Sequence, residues 1–349
     1  MADYDILIIG GGIAGAGLGA ALAGRRKVLL VEAEDQCGRH ATGRSAAFWL
    51  ESYGGPSVIP LTRASHDYLA RHGWLRTRGA IHLAHADVFD SLPPLAQLNR
   101  AALETRIPGL RGAWQHGRAE PSCADINVAA LHAHYLTELR RGGGQIRTAA
   151  GLVAAEWDGQ QWTATLADGA KVTAAILVNA AGAWADPVAK MAAVAPLGIT
   201  PKRRTMVQLR VGRGGLRDLP LIADADGGFY FKGEGDRSIW LSPHDETDCA
   251  PCDAAPEDID VATAIARFEQ VVDWPVEAVE RRWAGLRSFA PDRIPVFGFD
   301  RSHPGFFWCV GQGGFGIQTA PAASALAAAV LLGDRPALDP APFNPARFG

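Results

Sequence analysis

The sequence predicts an α/β (α+β) fold in which two domains are interleaved along the chain. Residues 4–32 read as a strand, a Gly-rich turn, a helix and a second strand, and residues 175–181 are a buried strand before Gly182. Near the end, a strand at 305–310 leads through a glycine turn into an Ala-rich helix. Such units are typical of parallel sheets. Because they occur at both ends and in the middle of the chain, we expect one domain to be assembled from separated segments.

The spacing of apolar residues predicts the individual elements. A short apolar run indicates a strand, recurrence every three or four residues indicates a helix, and Asp-Gly pairs mark tight turns between strands. In chain order we expect a strand at 4–9, a helix to about Ala23, a strand at 27–32, an irregular and partly helical stretch at 65–110, a helix at 126–142, a β-meander from about 151 to 169, a strand at 175–181, several strands between 199 and 243, a helix at 257–272, a strand at 305–310 and a helix from Gln318 to Leu332.

Composition narrows the functional class. The chain has 349 residues, of which 48% are apolar and 20% charged, which is ordinary for a globular enzyme of about two domains. A net charge of −3 gives no reason to expect a nucleic-acid partner. The N-terminal apolar stretch is broken by glycines and has no preceding positive charges, so we expect neither a signal peptide nor a transmembrane segment. Five scattered cysteines indicate a cytoplasmic protein with reduced thiols.

A dinucleotide-binding motif opens the chain. Gly10, Gly12 and Gly15 form GxGxxG directly after a strand and before a helix, the context in which this motif binds a pyrophosphate at the helix N-terminus. Glu32 ends the second strand, where a carboxylate accepts hydrogen bonds from a ribose with a free 2′-hydroxyl group. The motif alone is compatible with NAD or FAD.

Three further segments favour FAD. A small-residue loop at 39–47 follows Glu32, a second small-residue turn lies within 177–186, and GQGGFGIQT (311–319) opens the last helix. We expect the N-terminus of that helix to stabilise the reduced flavin ring through its dipole. A nicotinamide-dependent reductase does not need these segments, and the chain has one clear GxGxxG.

The sequence resembles the FAD-dependent D-amino-acid oxidase and glycine oxidase superfamily (DAO family) nearly from end to end. The segments that carry the resemblance are HATGRSAA (40–47), ADIN (124–127), LVNAAGAW (177–184), PLGITPKRRT (196–205), WAGLRSF (283–289) and QGGFGIQT (312–319). Within the family, the chain is most similar to the bacterial D-arginine dehydrogenases. The resemblance implies a Rossmann-like FAD-binding domain (1–47, 140–192 and 288–349) interleaved with a substrate domain (48–139 and 193–287) built on a mixed β-sheet.

The resemblance also implies the site residues. Arg287 matches the arginine that pairs with the substrate carboxylate, and Arg204, Tyr53, Tyr230, Gly314 and Gln318 match other positions beside the substrate or flavin. The expected contacts of a noncovalent FAD are Gly10, Gly12, Ile13, Ala14, Gly15, Glu32, Ala33, Thr42, Gly43, Arg44, Ser45, Ala46, Val153, Ala181, Gly182, Trp184, Gly313, Gly314, Gly316 and Ile317. We expect no bound metal. Cys249 and Cys252 form a CxxC in an acidic loop, which we interpret as exposed, and Cys309 as a core residue.

The chain departs from the arginine enzymes where their glutamate binds the basic substrate side chain. That position holds Ala80 here, no acid occurs between Asp67 and Asp87, and Phe48, Trp49 and Leu50 replace more polar residues. A buried cation without a counter-charge is strongly disfavoured. We therefore predict a preference for apolar or aromatic D-amino acids over D-arginine and D-lysine.

The expected reaction passes a hydride from Cα of a D-amino acid to flavin N5, and the imino acid then hydrolyses to a 2-oxo acid and ammonia. The electron acceptor is left open between a quinone, a dye-type acceptor and O2. Two alternatives remain. One is a secondary-amine or glycine oxidase, or a 2-hydroxy-acid dehydrogenase, because arginines bind any carboxylate. The other is a flavin-binding subunit without turnover.

Overall fold

The apolar runs of the chain form the strands of two large β-sheets. The structure is a computed structural model that describes residues 2–87, 89 and 92–348, so Met1 and Gly349, the outer limits of the predicted domains, lie outside it. Its strands are β1 Tyr4–Ile9, β2 Val28–Val31, β3 Phe48–Trp49, β4 Leu75–Thr77, β5 Ala80–Ala84, β6 Ala96–Leu98, β7 His116–Glu120, β8 Ala124–Ile126, β9 Gln145–Arg147, β10 Leu152–Trp157, β11 Trp162–Leu166, β12 Lys171–Asn179, β13 Thr200–Val211, β14 Leu221–Asp224, β15 Tyr230–Gly233, β16 Ser238–Ser242, β17 Thr247–Asp248, β18 Val276–Phe289, β19 Val296–Phe299 and β20 Phe306–Val310. Its α-helices are α1 Ile13–Leu22, α2 Ile59–Arg71, α3 Arg100–Arg106, α4 Val128–Arg141, α5 Ala185–Met191, α6 Asp258–Glu269 and α7 Gly316–Leu332.

The first sheet has the order β10-β11-β12-β1-β2-β9, with β20 also paired with β12, and β19 with β20. Strands β9, β2, β1, β12 and β20 are parallel, and the meander β10-β11-β12 is antiparallel. Residues 6–9 of strand β1 are apolar on both faces of the sheet, and both faces are covered there. Ile6 and Ile8 pack with α1 and α7, whereas Leu7 and Ile9 pack with the meander and α5.

Two glycines allow the turn after β1. Gly10 has a φ of +107°, and a Cβ atom there would lie 2.6 Å from the carbonyl oxygen of Ala180. A Cβ atom on Gly15 would lie 2.0 Å from the carbonyl oxygen of Gly10. Helix α1 therefore lies against the turn at a distance that only glycine permits.

The second sheet has the order β17-β13-β16-β15-β14-β5-β7-β6, with β18 along the other edge of β13. It is antiparallel except for the pair β14–β5. Alternate residues of each strand point to opposite faces. Val207 and Ile222 belong to a core with Phe268 of α6, while Met206 and Leu221 face the first sheet. A small antiparallel sheet, β3-β8-β4, adjoins the two.

Most expected elements are present with small shifts of their ends, and the fold class is confirmed. The main differences lie in three places. The long strand β18 (Val276–Phe289), which carries Arg287, was not predicted. The strand expected at 175–181 begins earlier, at Lys171, because its first residues pair with β11 as the last strand of the meander. The stretch at 65–110 contains α2, three short strands and α3, whose pairing partners are distant in sequence.

The described part of the chain contains no helix that is both long and apolar enough to cross a membrane. The first sheet draws its strands from residues 4–31, 145–179 and 296–310, and the second from residues 80–120 and 200–289. The division of the chain into two interleaved domains stays a prediction.

The close approach of α1 to the Gly10 turn leads to a stability prediction. We expect Gly15→Ala to lower the free energy of unfolding by roughly 2–3 kcal/mol, because the new methyl group overpacks the turn. Gly112→Ala is the matched control, since no atom lies within 4 Å of a Cβ at that position. Urea unfolding followed by tryptophan fluorescence measures both. Equal effects of the two substitutions would contradict the prediction.

Candidate active site

A cavity of about 740 Å³ lies between the two sheets. Its walls come from the Gly10 turn, the loop at 38–55, the turn after β12, the cavity-facing residues of the second sheet and the start of α7. This volume is within the range of ligand sites in proteins. The cavity is thus continuous from the predicted dinucleotide motif to the predicted substrate residues.

The Gly-rich turn and Glu32 form one end of the cavity. The carboxylate of Glu32 accepts hydrogen bonds from the N–H groups of Gly11 (2.8 Å) and Glu34 (3.0 Å). Thr42 Oγ1 accepts the N–H of Ile13, the first residue of α1, at 2.9 Å. Position 12 is open toward the cavity, because a Cβ atom there would meet only Thr42 Oγ1, at 3.3 Å. The backbone of the turn is accessible from the cavity, and Glu32, the residue predicted to bind a ribose, lines the same end.

Most of the predicted cofactor residues line this cavity, and three do not. The lining residues among them are Gly10, Gly12, Ile13, Ala14, Glu32, Ala33, Thr42, Arg44, Ser45, Ala46, Ala181, Gly182, Trp184, Gly313, Gly314, Gly316 and Ile317. Gly15 and Gly43 instead permit close backbone packing. Val153 differs from expectation: it is 53% exposed, because the alternation of β10 turns its side chain to solvent, whereas Gly151 and Leu152 line the cavity.

Arg287 lies near the other end of the cavity, with its side chain 12% exposed. Its Nη1 donates to the hydroxyl group of Tyr53 at 2.8 Å, and its Nη2 donates to Glu246 Oε1 at 2.7 Å. Its Nε is buried and has no partner among the described residues. A guanidinium group binds a carboxylate with two parallel hydrogen bonds through either Nη1 and Nη2 or Nε and Nη2. Both modes use Nη2, which Glu246 contacts.

Glu246 is shared by three arginines. Besides Arg287, it contacts Nη2 of Arg293 at 3.0 Å and Nη2 of Arg204 at 3.5 Å. No motif of the sequence pointed to this carboxylate, since it lies in the acidic loop before Cys249, 41 residues from Arg287. Asp245 adds a second carboxylate, 3.8 Å from Nε of Arg204. Two carboxylates among three guanidinium groups leave an excess of one positive charge, which favours a further anion.

Tyr230 and His244 complete this end of the cavity beside the buried Arg204. Arg204 Nε donates to the carbonyl oxygen of Asp245 at 2.8 Å, and its guanidinium carbon lies 5.8 Å from the ring centre of Tyr230. His244 Nδ1 lies 2.6 Å from the carbonyl oxygen of Gly227 and therefore donates, which leaves Nε2 as an acceptor. Burial, together with the charge of Arg204, lowers the pKa of His244 to about 4, so its ring is neutral at pH 7.

Tyr53 and Gln318 are linked through the segment at 50–53. Burial raises the pKa of the Tyr53 hydroxyl group, so it is protonated at neutral pH. Gln318 is buried; its Oε1 accepts the N–H of Leu50 at 3.2 Å, and its Nε2 donates to the carbonyl oxygen of Tyr53 at 3.2 Å and to Thr62 Oγ1 at 2.9 Å. Gln318 therefore anchors the segment that carries Tyr53. Gly314 leaves room for that hydroxyl group, which would lie 2.2 Å from a Cβ atom at this position.

A buried polar group that the sequence analysis missed lies at the side of the cavity lined by β5. His82 Nε2 lies 2.9 Å from Glu120 Oε2, and Glu120 also accepts the hydroxyl and N–H groups of Ser52, at 2.6 and 3.0 Å. Glu120 is directly opposite Ala80 in the pairing of β5 with β7. The only signal in the sequence was a histidine two residues after Ala80, on the same face of its strand.

The cysteines do not form a ligand cluster. Cys249 and Cys252 have their Sγ atoms 3.6 Å apart; Cys252 is exposed at the edge of the cavity, and Cys249 is half-buried. Cys309 is in the core beside α7, where burial raises the pKa of its thiol to about 12. Within the described ranges, no group of three or more His, Cys, Asp or Glu side chains could hold a metal ion.

Comparisons with known proteins agree with a flavin site. The model of the family "FAD dependent oxidoreductase" matches residues 5–330. A glycine oxidase from Pseudomonas aeruginosa is 24% identical in an alignment that covers 98% of this chain and 98% of that protein. The FAD-dependent oxidoreductase domain-containing protein 1 of Bos taurus is 30% identical over 202 residues, but the match covers only 51% of this chain and 40% of that protein.

A solved structure shows the same fold. The glycine oxidase from Geobacillus kaustophilus matches with a TM-score of 0.84, covering 99% of this chain and 98% of that one at 21% identity. The accessible Gly-rich turn, Glu32 and the continuous cavity fit FAD, which the sequence analysis expected and the family match confirms.

The position of Glu246 leads to a binding prediction. We expect Glu246→Gln to strengthen binding of a simple monocarboxylate, such as benzoate, by about tenfold, because the neutral amide no longer competes for Nη2 of Arg287. Titration followed by changes in the flavin absorbance measures the affinity. An unchanged or weaker affinity in a variant that retains FAD would mean that Glu246 supports the arginines rather than competing for them.

Proposed function

Since the chain belongs to the DAO family of FAD-dependent oxidoreductases, we propose that it catalyses the oxidative deamination of D-amino acids. One observation carries the proposal. Arg287, Arg204, Tyr230 and Tyr53 line the same cavity as the Gly-rich turn that fits FAD. A carboxylate bound there lies in a largely buried and positively charged environment, where charge-assisted hydrogen bonds are strong.

The side chains at this end bind and orient the substrate. Arg287 forms the ion pair with the carboxylate, and the protonated hydroxyl group of Tyr53 donates to it. The hydroxyl group of Tyr230, which donates to Met206 Sδ at 3.2 Å without substrate, turns to the carboxylate when substrate binds. Fixing the carboxylate limits the directions in which the Cα–H bond can point. Such positioning lowers the activation free energy of a reaction by several kcal/mol. Bound FAD supplies the two-electron acceptor for the hydride that leaves Cα. As the C–H bond breaks, the lone pair of the amine forms the C=N bond of the imino acid.

The amine must be neutral before the hydride leaves, because a protonated nitrogen has no lone pair to give. His244 is a poor candidate for the base: its pKa of about 4 lies well below the value near 8 of an α-amino group. We assign the proton to water and no side-chain base to the reaction. Water also adds to the C=N bond of the product, after which the C–N bond breaks to give a 2-oxo acid and ammonia.

The apolar wall favours apolar or aromatic side chains. Phe48, Leu50, Met206 and Leu221 line the cavity next to Tyr230. This group contains no Asp or Glu. The arginine enzymes have a glutamate at the position of Ala80, which is buried here. Burying an unpaired guanidinium or ammonium group here costs several kcal/mol. We therefore propose D-methionine, D-leucine and D-phenylalanine as better substrates than D-arginine and D-lysine.

Related activities are the main alternatives. Arg287 would bind a secondary amino acid, glycine or a 2-hydroxy acid through the same carboxylate, and a glycine oxidase is similar along nearly the whole chain. A flavin-binding subunit without turnover would not need the arginines at all. The electron acceptor of the proposed reaction is a quinone, a dye-type acceptor or O2, and we propose noncovalent FAD in a cytoplasmic protein.

The visible absorbance spectrum of the anaerobic protein tests the proposal. We expect a flavin spectrum that bleaches when D-methionine is added, bleaches much more slowly with D-arginine, and is unchanged with L-methionine. Bleaching with glycine, sarcosine or a 2-hydroxy acid instead would replace the proposal by one of the related activities. A flavin that none of these compounds reduces would support the subunit without turnover.

Substitution of Arg287 tests its assignment. We expect Arg287→Gln to lower kcat/KM for D-methionine by at least about 10²-fold, corresponding to an ion pair of roughly 3 kcal/mol, mostly through KM. Arg293→Gln is the matched control, because Arg293 also contacts Glu246 but does not line the cavity. Similar losses in both variants would indicate that the charge of the cluster matters rather than a direct contact of Arg287.

A further inference from the structure

The side chain of His82 marks a second polar end of the substrate cavity. Ala80 and His82 lie on the face of β5 that looks into the cavity, while Ile81 and Leu83 pack into the core on the opposite face. His82 is only 4% exposed, yet it lines the cavity. An imidazole group buried this deeply needs a hydrogen-bonding partner for each nitrogen.

Glu120 determines which nitrogen of His82 carries a proton. Glu120 is 2% exposed, and although burial alone raises its pKa, hydrogen bonds from His82 and Ser52 hold that pKa below its ordinary value. The carboxylate is therefore ionised and can only accept, so His82 Nε2 donates to it. Among the described residues, the ring makes no other hydrogen bond. Nδ1 is the nitrogen left for a group in the cavity.

His82 lies at a substrate-sized distance from the carboxylate-binding end. In the second sheet, His82 pairs with Ala223 of β14, and Ala223 pairs with Tyr230 of β15. Two strand spacings separate His82 from Tyr230, about 10 Å between their backbones. The surface between them is apolar, with Ala223 and Leu221 on the sheet. A side chain that starts near Arg287 and Tyr230 would cross this surface toward His82.

The charges near His82 favour an uncharged group. Arg118, the neighbour of His82 on β7, is not a cavity residue and pairs with Asp87 at 2.7 Å, so no arginine of the described ranges faces a distal carboxylate here. Glu120 already accepts three hydrogen bonds behind His82 and does not line the cavity. The nearest lining acid, Asp224, accepts the N–H groups of Asp226 and Gly228 in its own turn. Among the described residues, the two acids at this end, Glu120 and Asp224, therefore already hold hydrogen-bond donors of the protein itself.

We infer that His82, oriented by Glu120, is a specificity-determining residue that hydrogen-bonds a hydroxyl group at the far end of an aromatic substrate side chain. A hydroxyl group fits either state of the ring, since it donates to a neutral Nδ1 and accepts from a protonated one. The substrate class is a D-amino acid with a 4-hydroxyphenyl side chain, such as D-tyrosine. This inference rests on the proposed function of the same cavity.

D-tyrosine and D-phenylalanine form the matched pair for the test, because they differ only by that hydroxyl group. With the FAD-loaded enzyme, we expect kcat/KM for D-tyrosine to exceed that for D-phenylalanine by about tenfold or more, since a site built to bind a hydroxyl group rejects the analogue that lacks it. Anaerobic flavin reduction by each substrate gives the same ratio without an external electron acceptor.

Substitutions then assign the preference to His82. His82→Leu should bring the ratio close to one by slowing D-tyrosine, with D-phenylalanine little changed, and His82→Gln should keep part of the preference through its amide group. His85→Leu is the control: His85 is exposed, stacks on Trp114 at 3.9 Å and does not line the cavity. FAD content and thermal unfolding establish that each variant is folded. If His82→Leu does not fold, the wild-type ratio and His82→Gln decide the question.

Four outcomes would overturn the inference. If kcat/KM for D-tyrosine and D-phenylalanine is nearly equal in the wild-type enzyme, His82 does not bind the hydroxyl group. The same follows if the preference for D-tyrosine persists in His82→Leu. A clear preference for D-glutamate or D-lysine that disappears in His82→Leu makes the pair with Glu120 a charge-recognition site instead. If D-methionine reduces the flavin in any of these cases, the proposed function stands and only the role of His82 fails. If no D-amino acid reduces the flavin, both fail together.

Discussion

A largely buried positive charge at Arg287 is the constraint on which the rest of the site depends. A guanidinium group taken out of water must be paired, and removing its partner costs several kcal/mol. The chain meets this requirement with Glu246, which also contacts Arg204 and Arg293, and with the hydroxyl group of Tyr53. This arrangement keeps the arginine in place when no substrate is bound. It also means that a substrate carboxylate replaces an existing interaction, so its net binding energy is smaller than that of the new ion pair alone.

The segment at 48–53 connects the two ends of the cavity. Its backbone and side chains are held by groups that are far apart in sequence: Leu50 by Gln318, Ser52 by Glu120, and Tyr53 by Arg287. Gln318 belongs to the first turns of α7, whereas Glu120 ends a strand of the second sheet. Any shift of this segment therefore changes the carboxylate-binding end and the His82 end together. The positions of the two ends are coupled through one short stretch of backbone.

The fold and the cofactor were predictable from the sequence because their signals are local. The Gly10 turn, α1 and β2 lie within about 30 residues of each other. The requirement for glycine at Gly10 and Gly15 comes from backbone geometry that the GxGxxG motif itself predicts. The partners inside the site are different. Glu120 is 38 residues from His82, and Glu246 is 41 residues from Arg287, so strand pairing and loop placement alone bring them together. Val153 shows a different limit. A resemblance to a family can identify the strand that carries a residue, but not the direction of the side chain of that residue.

The position opposite Ala80 shows why a missing charge cannot be read from one strand. Strand β5, to which Ala80 belongs, has no acid, yet the neighbouring strand β7 places Glu120 directly opposite Ala80. What decides the chemistry is how the oxygen atoms of Glu120 are used: with Ser52 and His82 as donors, the carboxylate orients an imidazole group instead of binding a cation. The cavity then has a cationic end, an apolar middle and a hydrogen-bonding end. Distinguishing D- from L-amino acids requires the carboxylate, the side chain and the Cα–H bond each to have a fixed direction. In the proposed reaction, Arg287 would fix the first and the His82 end the second, so the direction of the Cα–H bond would follow from the chirality of Cα.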